Sequence, residues 1–176
     1  MPFEPSGWRL SGILPGDAGI IQTVHKIRSL VQWSLSNAPE VRSKAEELTS
    51  GLPERDERSE VEAIYHYVLR HFRYVHDPLN VEMVKSPEVI QREINGTGFF
   101  NGDCDDATTY LAALLESIGI PVDAAIISKP GSPDSAYCHI YPVAKTRFGD
   151  IPLETTVRGV AAGWRAPHGR IAYYPL

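Results

Sequence analysis

Hydrophobic residues recur at helical spacing through the first two thirds of the chain and in short apolar runs after that. The first periodic segment predicts a helix over residues 17–36, with Asp17 as its capping residue. Its apolar face consists of Ile20, Val24, Ile27, Val31 and Leu35.

Three further helices are predicted before residue 100. Pro39 suits the first turn of a charged helix that ends at Gly51. Residues 59–62 read as a capping box that opens a third helix. A short helix is expected from Ser86 and Pro87 to about residue 94.

The pattern changes after a Leu-rich helix that begins near Cys104 and stops at Gly119. Residues 122–128 and 136–144 predict two strands, and a turn over 145–150 separates them from a third strand. One more strand is expected near the carboxyl terminus. Helices followed by consecutive strands indicate an α+β fold with an antiparallel sheet. Because Pro142 lacks an N–H, its strand should be bulged or partly at an edge there.

The chain of 176 residues, 43% of them hydrophobic, is large enough for one core. We expect a single domain over residues 1–176. It divides into an arm at 1–16, a helical extension at 17–58, a core at 59–157 and a C-terminal segment at 158–176. No repeat or linker interrupts it.

Charge and hydropathy exclude several classes of function. A net charge of −5 argues against a nucleic-acid partner, and no apolar run is long enough to span a membrane. The first residues lack the features of a signal peptide, so a cytoplasmic location is expected. Two cysteines, Cys104 and Cys138, make no disulfide framework. Strand alternation should turn Cys138 away from Cys104.

Cys104 has the sequence context of a nucleophile. With Asp103 as helix cap it lies in the first helical turn, where unpaired N–H groups and the helix dipole favour a thiolate. The neighbouring aspartates oppose this effect, so a base must come from elsewhere. The candidate base is His139, on the second strand, and the candidate acid that orients it is Glu154.

This order of cysteine, histidine and carboxylate resembles the transglutaminase-like core of the papain-like cysteine-enzyme superfamily. Matching features are the Gly-Asp-Cys-Asp-Asp motif at 102–106, the helix ending in Gly-Ile-Pro at 119–121 and the Leu-Glu-Thr-Thr motif at 153–156. Residues 65–77 resemble the helix and strand that precede the cysteine in that family. The resemblance covers roughly residues 60–157 and implies N-terminal helices and a cysteine-bearing helix packed on an antiparallel sheet.

Two positions depart from the family pattern. The family usually has aspartate where this chain has Glu154, and Asp150 is the alternative acid if the strand is offset. The family also often has an aromatic residue before its carboxylate, and Phe148 is the nearest counterpart here.

The resemblance implies acyl chemistry on an amide bond of a peptide or protein, without a cofactor. Cys104 would attack the carbonyl, His139 would transfer the proton and Glu154 would fix the imidazole tautomer. The Cys104 N–H would be one oxyanion donor, with Asn101 or Tyr74 as the second. Hydrolysis is the leading expectation. The alternatives are transglutaminase-type transfer to an amine, or a non-catalytic phage or prophage assembly protein with a vestigial triad. That protein would be associated with the phage particle and have phage structural partners.

No metal site is expected from the sequence. His66, His71 and His76 are five residues apart, so the first two do not share a helix face. The aspartates flanking Cys104 lack the alternating ligands and bidentate glutamate of a calcium loop.

Overall fold

The computed structural model describes residues 14–77, 83–132 and 135–176. The predicted arm at residues 1–16 therefore falls almost entirely outside the described residues. Within the described ranges the chain forms five helices and six strands. In chain order they are α1 Asp17–Asn37, α2 Pro39–Thr49, α3 Glu57–His71, β1 Phe72–Tyr74, α4 Pro87–Thr97, β2 Phe100–Gly102, α5 Cys104–Ser117, β3 Val122–Ser128, β4 Tyr137–Thr146, β5 Gly149–Pro152 and β6 Ile171–Pro175.

The predicted α+β class is confirmed. Four strands form one antiparallel sheet in the order β5-β4-β3-β6, and β1 pairs with β2 in a small parallel sheet. Helix α5 lies at the centre, since its residues 105–115 are all buried and it packs against both α1 and β4. The hydrophobic core around α5 extends from α1 to Leu176. We propose that the chain is organised as one domain.

The helix starts differ from two predictions. Asp17 is the first residue of α1 rather than its cap, and Gly16 precedes it without a side-chain capping bond. The Asp17 carboxylate instead accepts the Tyr137 N–H at 2.9 Å and pairs with Arg170 at 2.7 Å. Helix α1 is thereby tied to the start of β4 and to the C-terminal segment.

Helix α3 begins earlier than the capping box indicated. Asp56 is its cap and accepts the N–H and hydroxyl of Ser59 at 3.2 and 2.6 Å. Ser59 is therefore a donor within the first turn. On α1, Leu35 is 38% exposed, so the predicted apolar face ends one turn early.

The strands place the candidate site residues. Strand β3 begins and ends as predicted, whereas β4 continues to Thr146 and leaves only a short turn before β5. Pairing between β4 and β5 ends at Val143 and Pro152, so Pro142 lies at a partial edge, as expected. Glu154 follows β5 rather than lying within it. The described residues include no helix that is both long enough and apolar enough to cross a membrane.

Candidate active site

Cys104 is the first residue of α5. Its predicted cap is confirmed, because the Asp103 carboxylate accepts the Asp105 N–H at 3.1 Å. The side chain is partly exposed and lines a cavity of about 540 Å³ together with His139 and Tyr74. The structure therefore brings the candidate nucleophile and the candidate base to one cavity.

His139 and Glu154 are in direct contact. The ring Nε2 of His139 lies 2.7 Å from Glu154 Oε2. Because Nε2 is bound to the carboxylate, Nδ1 is the ring nitrogen that remains for proton exchange with a thiol. The Glu154 side chain is fully buried, whereas that of His139 is 21% exposed and reaches the cavity.

Thr156 and Tyr65 hold Glu154 in place. Its second carboxylate oxygen accepts both the N–H and the hydroxyl of Thr156, each at 2.7 Å, and its carbonyl accepts the Tyr65 hydroxyl. Burial alone would raise the pKa of Glu154, but the bonds from His139 and Thr156 outweigh it and lower that pKa. Glu154 is therefore an ionised, oriented acceptor for the imidazole N–H.

Asp150, the alternative acid, has another partner. It lies on β5 and forms an exposed ion pair with Lys145 at 2.6 Å. Phe148, the proposed counterpart of the family's aromatic residue, lies in the turn between β4 and β5 and is 75% exposed. The carboxylate that contacts His139 is that of Glu154.

A β-bulge changes the position of Cys138. The register between β3 and β4 shifts at Ile127 and Ser128, so that Ser128 pairs with Tyr137 and Cys138 is the extra residue. Both cysteines are free, and both line the same cavity. The prediction that strand alternation separates them is wrong here, because the bulge interrupts the alternation one residue before His139.

The two candidate oxyanion donors lie in different places. Tyr74 lines the cavity of Cys104, and burial, followed by the charges of Cys104 and Asp103, raises the pKa of its hydroxyl to about 12. It is therefore a neutral donor at neutral pH. Asn101 is absent from the lining of that cavity and instead borders a smaller one of about 240 Å³ with Lys85.

Asp106 and Lys85 hold the segment that precedes Cys104 in place. The Asp106 carboxylate accepts the Lys85 N–H at 2.7 Å, and the Lys85 ammonium donates to the Asn101 carbonyl at 2.6 Å. A Cβ on Gly102 would lie 2.3 Å from the Asp106 carboxylate. Only glycine leaves room for this packing, which sets the position of the α5 start.

Asp103, Asp105 and Asp106 each place a carboxylate oxygen within 4.8 Å of the others. Both oxygens of Asp105 are buried without a hydrogen-bond donor among the described residues. Burial raises the pKa of Asp105 well above its usual range, and the adjacent Asp103 carboxylate, a ready acceptor for its proton, raises it further. These residues could share a proton or hold a cation, and the expectation of no metal stays a prediction.

The three histidines considered as ligands do not form such a group. His71 Nδ1 contacts the Gly98 carbonyl at 2.6 Å, and the His76 ring packs edge-on against Tyr74. Within residues 14–77, 83–132 and 135–176, the aspartates around Cys104 are the only set of three or more such groups close enough for a metal.

Sequence reasoning missed several supporting residues. Thr156 belongs to the Leu-Glu-Thr-Thr motif, and its role as a donor has a local signal, because a threonine two residues after a carboxylate commonly donates to it. A glycine two residues before the candidate nucleophile could have indicated close packing at the start of α5, as Gly102 shows. The contact of Tyr65 with Glu154 spans 89 residues and left no local pattern.

No protein-family model matches this sequence, and a search of curated proteins finds no match. Among solved structures, one named "putative protease" from Parabacteroides distasonis aligns with a TM-score of 0.60 at 17% identity, over 81% of this chain. The present chain spans only 27% of that protein. This likeness shows a shared fold.

Two further structures align with a TM-score of 0.48. Calcium-bound LapG of Legionella pneumophila is 17% identical, over 79% of this chain and 76% of its own. A "putative cysteine protease" from Cytophaga hutchinsonii is 12% identical, over 86% of this chain and 49% of its own. Two of these three structures are named as proteases, and the third is named only as LapG.

Proposed function

We propose that this chain is a cysteine peptidase or amidase of the transglutaminase-like class, acting through Cys104, His139 and Glu154. The observation that carries the proposal is the bond between His139 Nε2 and a buried carboxylate, at a cavity that Cys104 also lines. A carboxylate held on one ring nitrogen leaves the other to act as base toward a thiol.

In the proposed reaction, His139 Nδ1 accepts the Cys104 proton and the sulfur attacks the carbonyl carbon of the substrate amide. The tetrahedral oxyanion is stabilised by the Cys104 N–H at the helix start and by the Tyr74 hydroxyl. The C–N bond then breaks, and the imidazolium gives its proton to the leaving amine. An acyl-thioester on Cys104 remains.

Water resolves the acyl-thioester in the hydrolytic reaction. His139, again unprotonated, takes a proton from the water that attacks the thioester, and the thiol is restored as the acid leaves. An amine in place of water would give the transglutaminase reaction, which uses the same residues. The substrate class is a peptide or protein, in keeping with the structural neighbours named as a protease and a cysteine protease. The phage-assembly alternative stays a prediction, since no observation favours it.

The test is a mass-spectrometric screen of defined peptide mixtures, with and without added glycine ethyl ester as an amine acceptor. Wild type should release shorter peptides, and Cys104→Ala and His139→Ala should release none. Cys138→Ala is the matched control and should cleave like wild type. New acyl-amine products in place of cleavage would shift the proposal to transfer, and equal products from wild type and Cys104→Ala would overturn it.

A further inference from the structure

A second cavity adjoins the candidate active site. It has a volume of about 580 Å³ and is lined by the end of α3, by β1 and by residues 155–159, the segment that follows Glu154. Tyr74 lines both cavities and so forms the wall between them. The two cavities therefore lie on either side of Tyr74, and the lining of the second is close in sequence to Glu154, which binds His139.

The two cavities differ in charge. The lining of the first includes Asp103 and Asp105, whereas that of the second includes no acidic side chain and two arginines, Arg73 and Arg158. Both arginines are exposed, and neither forms an ion pair with any residue in the described part of the chain. Two unneutralised guanidinium groups at one cavity are notable in a chain of net charge −5.

Arg73 is also oriented. Its guanidinium carbon lies 3.3 Å from the centroid of the Phe99 ring, and such stacking leaves the edge N–H groups available for a carboxylate. Thr155 and Thr156 border the same cavity. The lining of the cavity thus combines the apolar residues Leu69 and Phe72 with two arginines.

From this arrangement we infer that the second cavity is a substrate subsite for an acidic side chain or a free carboxylate, held by Arg73 and Arg158. The inference rests on the proposed function and deepens it, since it names the substrate class as acidic peptides. An extended peptide advances about 3.3 Å per residue. Because the two cavities share Tyr74, we expect the bound carboxylate to belong to a residue near the scissile bond, and the positions within about three residues of that bond are the ones to test.

Paired internally quenched peptides, identical except for Glu or Gln at one position within three residues of the cleaved bond, test the specificity. Wild type should cleave the Glu peptide with a kcat/KM about 10-fold higher at one of these positions, given one or two exposed charged contacts. Arg73→Gln and Arg158→Gln should each reduce that preference, and the double variant should abolish it. Arg158→Glu should favour the matching Lys peptide.

Arg42→Gln is the matched control. Arg42 is an exposed arginine on α2 that lines neither cavity, so its variant should keep the full preference for Glu. Equal cleavage of Glu and Gln peptides by wild type at every position would overturn the inference while leaving the peptidase proposal intact.

A binding assay separates the two proposals. Fluorescein-labelled Ala-Ala-Glu-Ala-Glu-Ala and its Gln counterpart are titrated against Cys104→Ala protein and followed by anisotropy. Tighter binding of the Glu peptide, lost with Arg73→Gln/Arg158→Gln, would support the subsite even if no peptide were cleaved. Equal binding of the two peptides, or a preference that survives loss of both arginines, would overturn it.

Discussion

Replacing Glu154 by Gln should impair the reaction through the imidazole tautomer. The side chain is fully buried, with one oxygen on His139 Nε2 and the other on both Thr156 donors. In Glu154→Gln those two donors hold the amide oxygen, which leaves the NH₂ group facing His139. An NH₂ group can only donate to Nε2, so the ring proton moves to Nδ1, where the base must accept.

The alternative orientation of the amide is unfavourable. It would point the NH₂ group at the Thr156 N–H and leave that donor without an acceptor, at about 1–3 kcal/mol, whereas the Thr156 hydroxyl can turn and accept from the NH₂ group. The amide also cannot stabilise the imidazolium. We therefore expect kcat/KM to fall by about 10- to 1000-fold, less than in serine triads because a thiol needs weaker activation. That range corresponds to about 1.4–4 kcal/mol of transition-state stabilisation.

The assay is steady-state hydrolysis of a quenched peptide, with circular dichroism melts to confirm folding. Asp150→Asn is the matched control, since it removes a carboxylate that pairs with Lys145 at the surface. It should change kcat/KM little. A folded Glu154→Gln enzyme of wild-type activity would show that Glu154 does not orient His139, and damage by Asp150→Asn alone would assign the acid to Asp150.

Three other predictions concern the residues that support the site. Thr156→Val removes one donor to Glu154 and keeps the N–H, so kcat/KM should fall by about 3- to 10-fold, and unchanged kinetics would contradict its positioning role. Gly102→Ala should destabilise the fold by about 1–3 kcal/mol in urea unfolding, because its Cβ meets the Asp106 carboxylate; Gly96→Ala, in open space on α4, should be neutral or stabilising. Burial raises the pKa of Asp106 to about 8, although the hydrogen bond from the Lys85 N–H opposes this shift. Between about pH 4 and pH 8 the folded protein therefore keeps a proton on Asp106 that the unfolded chain has lost. The contribution of Asp106 to stability declines as the pH rises through that range. In chelator-containing buffer Asp106→Asn should flatten that decline in the melting temperature, and an unchanged slope would contradict it.

The elements that sequence predicted well are those with local signals. Strand β3 agrees at both ends because an apolar run is bounded by Pro121 and Pro130. The start of α5 agrees because a capping aspartate acts on a residue two positions away. Such signals need no knowledge of the rest of the fold.

The misplaced features depend on distant partners. The bulge at Cys138 exists only in the register between β3 and β4, so alternation along β4 alone gave the wrong side. Asp17 was read as a helix cap, but its partners Tyr137 and Arg170 are more than 100 residues away. Local pattern also put Glu154 on a strand, whereas its position is set by Thr156 and by a long-range bond from Tyr65.

Activation of Cys104 by His139 can be measured through the pH dependence of alkylation. In a Cys138→Ala background, Cys104 is the single thiol, and its iodoacetamide reaction is followed by intact-mass spectrometry from pH 5 to 9. We expect rapid alkylation well below pH 8, where an ordinary thiol reacts slowly, and loss of that low-pH reactivity with His139→Ala. Superimposable pH profiles for the two proteins would show that His139 does not activate Cys104.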